Sequence, residues 1–256
     1  MAETCLSVGV DGCPGGWIAA IQWPGKDWPD IAVFANFTAL VDSLPKHGII
    51  AVDMPIGLPD ACGPGGRGPE RLVRPLLGAR QSSVFSIPSR AAVFATDAIY
   101  RDAAQWKADH LRASAVARST SQPPRGVSVQ AYGLFSRIQQ VDTLLRQRPE
   151  LRERVIESHP ELAFWRMNGR RPLAEPKKVK NRPWQAGLAE RIALLAAQGF
   201  APPSGWSHVP RGAGADDLLD ALAMLDVARR QATGHAGRLP DPPLHDSAGL
   251  PIAIYF

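Results

Sequence analysis

The stretch that decides the fold is LSVGVDGCPGGWIAAIQW, residues 6–23. Two apolar segments, residues 6–10 and 17–22, flank a break that is rich in Gly and Pro, and this pattern predicts a β-hairpin. The first segment runs directly into Asp11. A negative charge at the end of a buried strand is unfavourable unless a partner compensates it. Asp11 is therefore the first candidate functional residue.

The segments that follow predict a mixed α/β order. A third strand is expected at 31–34, a short helix at 37–44, and a strand at 49–53 that is apolar and β-branched enough to be buried on both faces. Further helices and strands are predicted after a region rich in Gly, Pro and Arg. They are helices near 97–118, 129–147, 184–198 and 216–230, a strand ending at Glu157, and a closing strand at 252–255 after a Pro-rich loop.

The composition is that of an ordinary globular chain. It has 256 residues, 45% of them hydrophobic and 21% charged, with a formal charge of +5. We expect one domain over 1–256 with an inserted helical region at about 60–126. Neither a membrane span nor a signal peptide is recognisable, so a cytoplasmic location is expected. Cys5, Cys13 and Cys62 lack C-x-x-C spacing, which argues against a zinc site or a disulfide framework.

Several carboxylates stand at the ends of predicted strands or at the start of the last long helix. They are Asp11, Asp53, Glu157, Asp216 and Asp217, with Asp220 one turn further along that helix. If the strands join one sheet, these groups converge, and like charges that converge repel unless a cation lies among them. Mg²⁺ or Mn²⁺ suits oxygen ligands of this kind. Two such ions about 3.5–4 Å apart form the clamp used in phosphodiester cleavage.

Each acid also has a purely structural interpretation. Asp11 could accept hydrogen bonds from turn amides, and Asp53 could cap the loop that follows it. Asp216 or Asp217 could be a helix N-cap. Glu157 could pair with a neighbouring Arg154 or His159. The argument for a metal cluster depends on the acids acting together.

Five motifs together resemble one family. They are VGVDGCPGGW (8–17), AVDMPIGLP (51–59), LLGARQSSVFSIPSR (76–90), VIESHPELAFW (155–165) and ADDLLDALA (215–223). In this order they resemble the bacterial and archaeal proteins grouped as domain of unknown function 429, regarded as predicted nucleases of the ribonuclease H-like fold. The resemblance implies a mixed five-stranded sheet of three antiparallel strands plus parallel strands, flanked by helices.

The resemblance also implies roles for particular residues. Metal ligands would be Asp11, Asp53 and Asp217 or Asp216, with catalytic roles for Asp11, Asp53, Glu157 and Asp217. Substrate contacts are expected from residues that match the family's pattern, namely Arg80, Ser82, Ser83 and Arg90, because arginine offers two parallel donors to phosphate. The chain departs from the family at residues 67–70, which read RGPE where Arg-x-Cys-Asp is common.

Two further residues are weaker substrate-binding candidates. His159 could shuttle a proton or be structural. Lys178 belongs to a basic patch with Lys177 and Lys180, in a Lys/Arg-rich loop at 170–182, that could contact a polyanion or only solvate the loop.

The sequence therefore favours a metal-dependent nuclease that uses Mg²⁺ or Mn²⁺ and acts on nucleic acid. One alternative is an ATP-dependent phosphotransferase of the actin and sugar-kinase type, whose first strand also delivers an aspartate into a Gly-rich hairpin. The chain lacks a second hairpin of that kind, which argues against it. Another alternative is a non-catalytic nucleic-acid-binding relative, because a shared fold does not establish activity.

Overall fold

A five-stranded sheet forms the centre of the computed structural model, which describes residues 6–180, 182–201 and 209–256. Its strands are β1 (Ser7–Cys13), β2 (Gly16–Gln22), β3 (Asp30–Phe34), β4 (Ile49–Val52) and β5 (Val155–Glu157). The spatial order is β3-β2-β1-β4-β5. Strand β2 is antiparallel to β1 and β3, and β4 is parallel to β1 and β5. The expected mixed sheet is confirmed.

Helices and two small hairpins surround this sheet. The helices are α1 (Phe37–Asp42), α2 (Pro69–Val73), α3 (Arg90–Val93), α4 (Ala103–Ser119), α5 (Val129–Tyr132), α6 (Phe135–Gln147), α7 (Pro160–Met167), α8 (Gln185–Ala197) and α9 (Ala215–Ala232), with 3₁₀ turns at Arg74–Ser83 and Pro149–Leu151. The hairpins are β6 (Lys178–Val179) with β7 (Arg182–Pro183), and β8 (Arg238–His245) with β9 (Pro251–Tyr255). Within the described ranges, none of the helices combines the length and the apolar composition that a bilayer span requires. Cys5 and position 181 of the Lys/Arg-rich loop lie outside these ranges.

The first strand is longer than the sequence predicts. It continues three residues past Val10, because β2 keeps pairing with it as far as Cys13 and Gly16. Only Pro14 and Gly15 are left to make the turn, and Gly16 adopts a φ of 120°, which favours glycine. Asp11 therefore lies inside β1, where it pairs with Ile18 and is 7% exposed.

Two other predictions also differ from the structure. The Pro-rich stretch expected to be a loop forms β8, whose pairing with β9 is interrupted between Leu239 and Leu244. Prolines are tolerated there because β8 is an edge strand of a two-stranded sheet and its pairing is irregular. The single helix expected over 129–147 is divided into α5 and α6 at Gly133, a residue with low helix propensity.

Separate apolar cores cover the two faces of the sheet. Val10 and Val52 belong to the core beneath α1 and α6, whereas Ala51 belongs to the core beneath α9. Helix α9 lies against the backbone of β1, because a Cβ at Gly9 would be only 2.0 Å from the amide nitrogen of Leu225. This close approach brings α9 to the strand that carries Asp11.

Candidate functional site

The ends of the parallel strands place Asp11 and Asp53 side by side. The N–H of Asp53 donates to the carbonyl oxygen of Val10 over 2.9 Å, which extends the β1–β4 ladder by one residue. Val10 pairs with Val52, and both face the α6 side. Because side chains alternate along a strand, the next residues, Asp11 and Asp53, face α9.

Helix α9 supplies the third member of the cluster, Asp220. Its side chain is buried, with the residue 1% exposed, on the turn after the helix N-terminus. One carboxylate oxygen from each of Asp11, Asp53 and Asp220 lies within 4.8 Å of the others. These three residues are defined here as the acid cluster.

The acid cluster is electrostatically strained without a cation. Burial raises the pKa of Asp11 well above its usual value, and the neighbouring Asp53 and Asp220 raise it further. Burial also raises the pKa of Asp53, although His159 and Lys177 oppose the shift. For Asp220, burial raises the pKa to about 6 even though Lys177 is in contact. The charged carboxylates therefore lack full compensation from the protein.

Lys177 is the internal cation of this site. Its ammonium forms an ion pair with Oδ2 of Asp220. Burial alone would lower the pKa of Lys177, but attraction to Asp220 and Asp11 raises it above its usual value, so the ammonium stays charged. Among the described residues, Lys177 is the cation in contact with the acid cluster, and its one positive charge does not balance three carboxylates. A second cation would compensate the remaining negative charge.

Two buried carboxylate oxygens near Lys177 and the acid cluster have no hydrogen-bond partner in the part of the chain that the structure describes. One is Oδ1 of Asp220 and the other is Oε2 of Glu161. Glu161 stands in the first turn of α7, and its other oxygen accepts from Nη2 of Arg191 at 2.5 Å. Its charge raises the pKa of both Asp53 and Asp220, so it is close to the acid cluster. Oxygens of this kind fit a hard divalent cation.

Glu157 lies apart from the acid cluster, on the other face of the sheet. It pairs in register with Val52 in β4, and side-chain alternation therefore directs it away from α9. Its two oxygens accept from Arg67 at 2.6 and 3.0 Å, and Oε2 also accepts from the N–H of Ile56 at 2.8 Å. Arg67 also donates to Glu70 at 2.8 Å. Glu157 is thus engaged in a buried ion-pair network with Arg67. This partner differs from Arg154 and His159, the two that the sequence analysis considered.

Asp216 and Asp217 occupy the first turn of α9, and the structure does not group them with Asp11 and Asp53. Oδ2 of Asp217 accepts from the N–H of Gly214 at 2.8 Å, which is a capping role. Oδ2 of Asp216 lies 2.6 Å from Nζ of Lys178. Asp220, on the following turn, takes the position that the sequence analysis expected for one of these two residues.

A cavity of about 230 Å³ opens at the carboxyl ends of the parallel strands, beside the acid cluster. Asp11, Asp53 and Glu161 line it together with Lys177 and Arg137. Open α/β sheets commonly bind ligands at this end. The buried Arg67–Glu70–Glu157 network also reaches the cavity.

The expected substrate-binding residues divide into two groups. Ser83 and His159 line the cavity, and Nε2 of His159 donates to the carbonyl oxygen of Ser83 at 3.3 Å. The described residues that line the cavity do not include Arg80, Ser82, Arg90 and Lys178. Ser82 is exposed, and Nε of Arg80 is buried.

Arg90 has a structural position. Its Nη2 donates to Asp142 and to Asp246, each at 2.7 Å, and so joins α6 to the segment after β8. Asp246 also accepts from the N–H of Leu58 at 2.8 Å. Arg90 therefore stabilises the packing of α3 against α6 and the segment after β8.

Glu161 and Arg137 were not identified from the sequence. Glu161 follows the strand that ends at Glu157, but without a fold its helical position gives no functional signal. Arg137 stands on the amphipathic helix, and its Nη2 donates to the carbonyl oxygen of Cys13 at 2.7 Å. One feature of the sequence does favour Asp220 over Asp217. Asp220 interrupts the apolar run LLDALAML, which is buried almost throughout.

The fold and this site define an α/β protein with a cluster of buried carboxylates where its parallel strands meet its last long helix. The sequence profile of the family described as "Protein of unknown function (DUF429)" matches residues 9–245, and the chain belongs to that family. The resemblance inferred from the motifs is confirmed at the level of the family. No curated protein and no solved structure matched the chain.

Proposed function

We propose that the protein is a metal-dependent nuclease that hydrolyses phosphodiester bonds with Mg²⁺ or Mn²⁺ held by Asp11, Asp53 and Asp220. The observation that carries this proposal is the acid cluster itself. One oxygen from each of its carboxylates lies within 4.8 Å of the others. Asp11 and Asp220 are buried and Asp53 is half-buried, and among the described residues Lys177 is the ammonium in contact with them. Divalent cations commonly bind where several carboxylates converge and the protein's own positive charges do not balance them.

The geometry of the acid cluster fits such an ion. Mg²⁺ lies about 2.1 Å from each ligand oxygen, so two of its ligands are at most about 4.2 Å apart. The candidate ligand oxygens of the acid cluster all lie within 4.8 Å of one another, which is the scale of a shared cation. The unpartnered Oδ1 of Asp220 is a free ligand atom, and Glu161 is a fourth carboxylate for a second ion.

The arrangement of the sheet supports a ribonuclease H-like fold. The order β3-β2-β1-β4-β5, antiparallel over the first three strands and parallel over the rest, is the one that the family resemblance implies. In that fold, acids on the first strand, the fourth strand and the last helix hold the metals. Here Asp11 lies on β1, Asp53 directly follows β4, and Asp220 lies on α9.

The chain's own residues would hold and orient the scissile group. When bound, the ions supply electrophilic stabilisation of the phosphate and activation of water. Arg137 lies against Gly12 and lines the cavity together with Asp11, where it can donate to a phosphate oxygen. Lys177 pairs with Asp220 and lines the cavity, where its ammonium could also donate to the phosphate.

The test is Mn²⁺-dependent cleavage of labelled single-stranded, hybrid and branched nucleic acids. We expect cleavage that Asp53→Asn abolishes while Asp30→Asn, a change at an exposed acid paired with Lys26, leaves it intact. Circular dichroism and thermal unfolding of both variants show whether the fold is retained. Absence of cleavage by folded wild type, together with stabilisation by ATP, would favour the phosphotransferase alternative.

A further inference from the structure

We infer that the cavity beside the acid cluster receives one nucleotide unit, with its base against the apolar wall and its phosphate toward the acid cluster. The ligand chemistry is that of a nucleoside phosphate, either free or at the unpaired end of a single strand. This inference rests on the proposed nuclease function and specifies its substrate class.

The size of the cavity limits what can enter. Its volume is about 230 Å³, below the range of about 300–1,000 Å³ that is typical of sites for drug-sized ligands. One nucleotide unit is compatible with such a space when part of it stays at the mouth. A base pair with both backbones is too large, so the interior of a duplex cannot place a base in this cavity.

The wall of the cavity is apolar over much of its surface. The apolar residues that line it include Met54, Val84, Phe85, Ile87, Leu134 and Ile254. Phe85 supplies a phenyl ring to this wall, and every nucleobase offers a π face to a ring of this kind. An apolar wall next to a few convergent polar groups is the usual composition of a small-molecule site.

The charges that line the cavity make binding depend on metal. Five carboxylates and three cationic side chains line it, so the metal-free cavity repels a phosphate. The Arg67 network is internally paired, and Glu161 is paired with Arg191. The remaining acids at the cavity are Asp11 and Asp53, which lie beside the acid cluster's third member, Asp220. A divalent ion reverses this balance. We therefore expect the nucleotide to bind only after the metal.

His159 offers a polar group at the cavity that is still free. A carbonyl oxygen only accepts, so Nε2 of His159 carries the hydrogen that it donates to Ser83. Nδ1 is buried and has no partner among the described residues. In this tautomer Nδ1 is an acceptor, so it can accept a hydrogen bond from a ribose hydroxyl.

The test is isothermal titration of the full chain with uridine 5′-monophosphate, adenosine 5′-monophosphate or inorganic phosphate, each with and without Mn²⁺. A mononucleotide has no internal phosphodiester bond, so binding is measured without cleavage. We expect both nucleotides to bind at least about tenfold more tightly than phosphate, and only when Mn²⁺ is present. Equal affinity for nucleotide and phosphate, or binding that ignores Mn²⁺, overturns the inference.

Phe85→Ala tests the wall, with Phe34→Ala as the matched control. Both rings are partly buried against the same core, and Phe34 does not line the cavity. We expect Phe85→Ala to weaken nucleotide binding at least fivefold and to leave phosphate binding unchanged. If Phe85→Ala does not fold, saturation-transfer NMR on wild type replaces it, and base protons that receive no saturation contradict the inference.

Competition experiments separate the two sources of the nucleotide. A 5′-phosphorylated single strand that displaces the mononucleotide, when a blunt duplex does not, identifies a strand end as the ligand. If neither the single strand nor the duplex displaces the mononucleotide, the ligand is a free nucleotide. If the two displace it equally, the inference is contradicted. Mn²⁺ binding is measured first: if Mn²⁺ does not bind, the proposed function fails as well. If Mn²⁺ binds and nucleic acid is cleaved without mononucleotide binding, only the inference fails.

Discussion

The N–H of Asp53 donates to the carbonyl oxygen of Val10 over 2.9 Å, and this hydrogen bond sets Asp53 beside Asp11. The next link across the sheet is equivalent, since the N–H of Ser158 donates to the carbonyl oxygen of Val52 at 2.9 Å. Asp11, Asp53 and Ser158 thus form one row at the ends of three parallel strands. Glu157, one residue earlier, belongs to the opposite face.

Substitutions of Asp217, in the first turn of α9, and of Asp220, in the next turn, should differ in their effect on metal binding. We expect Asp220→Asn to weaken Mn²⁺ binding at least tenfold, because it removes a charged ligand from the acid cluster. Asp217→Asn should leave Mn²⁺ affinity within about twofold and lower the stability by roughly 0.5–1 kcal/mol through the weakened cap. Titration calorimetry and thermal unfolding give the two readouts. The reverse order would mean that Asp217, not Asp220, is the ligand.

Lys177→Met should make the protein more dependent on metal. Without the ammonium, the acid cluster loses its internal cation, and we expect the metal-free protein to lose about 1–3 kcal/mol. Mn²⁺ should then raise the melting temperature more than it does in wild type. Lys178→Met is the matched control, because Lys178 pairs with Asp216 at a more exposed position. An unchanged Mn²⁺ effect in Lys177→Met would contradict the role given to Lys177.

Asp220 should make the metal-free protein less stable as the pH rises. Burial raises its folded-state pKa from 3.8 to about 6, so between these values the folded state keeps a proton that the unfolded state releases. Stability then falls with rising pH over this window and levels off above it, by up to about 3 kcal/mol. Chemical unfolding of wild type and Asp220→Asn in EDTA, from pH 4 to 7.5, measures the difference. A wild type that gains stability relative to the variant as pH rises would show the opposite sign.

Glu157→Gln should affect the fold and leave the metal site unchanged. It leaves Arg67 with one carboxylate partner in a buried setting, and we expect a loss of about 2–4 kcal/mol. Mn²⁺ affinity should stay within about twofold of wild type, since Glu157 faces away from the acid cluster. Glu153→Gln, at an exposed position, is the control for stability. A large loss of Mn²⁺ affinity in folded Glu157→Gln would restore Glu157 as a ligand.

Gly9→Ala should destabilise the protein strongly. Its Cβ would lie 2.0 Å from the amide nitrogen of Leu225, and backbone cannot rotate away as a side chain can. We expect a loss of at least about 3 kcal/mol, at the upper end of the overpacking range. Gly63→Ala is the control, because a Cβ there meets nothing within 4 Å. Equal melting temperatures of the two variants would show that α9 does not lie this close to β1.

Local patterns in the sequence predicted the sheet well. The hairpin at residues 6–23 and the apolar strand before Asp53 follow from turn residues and β-branched runs, which act over short distances. The membership of the acid cluster was harder to predict. Whether Glu157 joins Asp11 depends on the register of β5 against β4, and a shift of one residue would reverse its face.

Which aspartate of α9 joins the acid cluster was hard to predict for a similar reason. Asp216, Asp217 and Asp220 are near one another in sequence, and only the rotation of α9 against β1 selects Asp220. Lys177 was assigned to an exposed basic patch, because the charges around it come from distant strands and a distant helix. Pairings of this kind arise from tertiary contact and leave little trace in a single sequence.

The contact between Gly9 and α9 also bears on how the protein tolerates change. Asp11 and Asp220 are held in place by main chain resting on main chain, without an intervening side chain whose size could vary. Substitutions elsewhere in the two cores can therefore accumulate and alter stability while the spacing of these two carboxylates stays the same. Because Gly9 has no Cβ, the distance between Asp11 and Asp220 does not depend on which side chains fill the two cores.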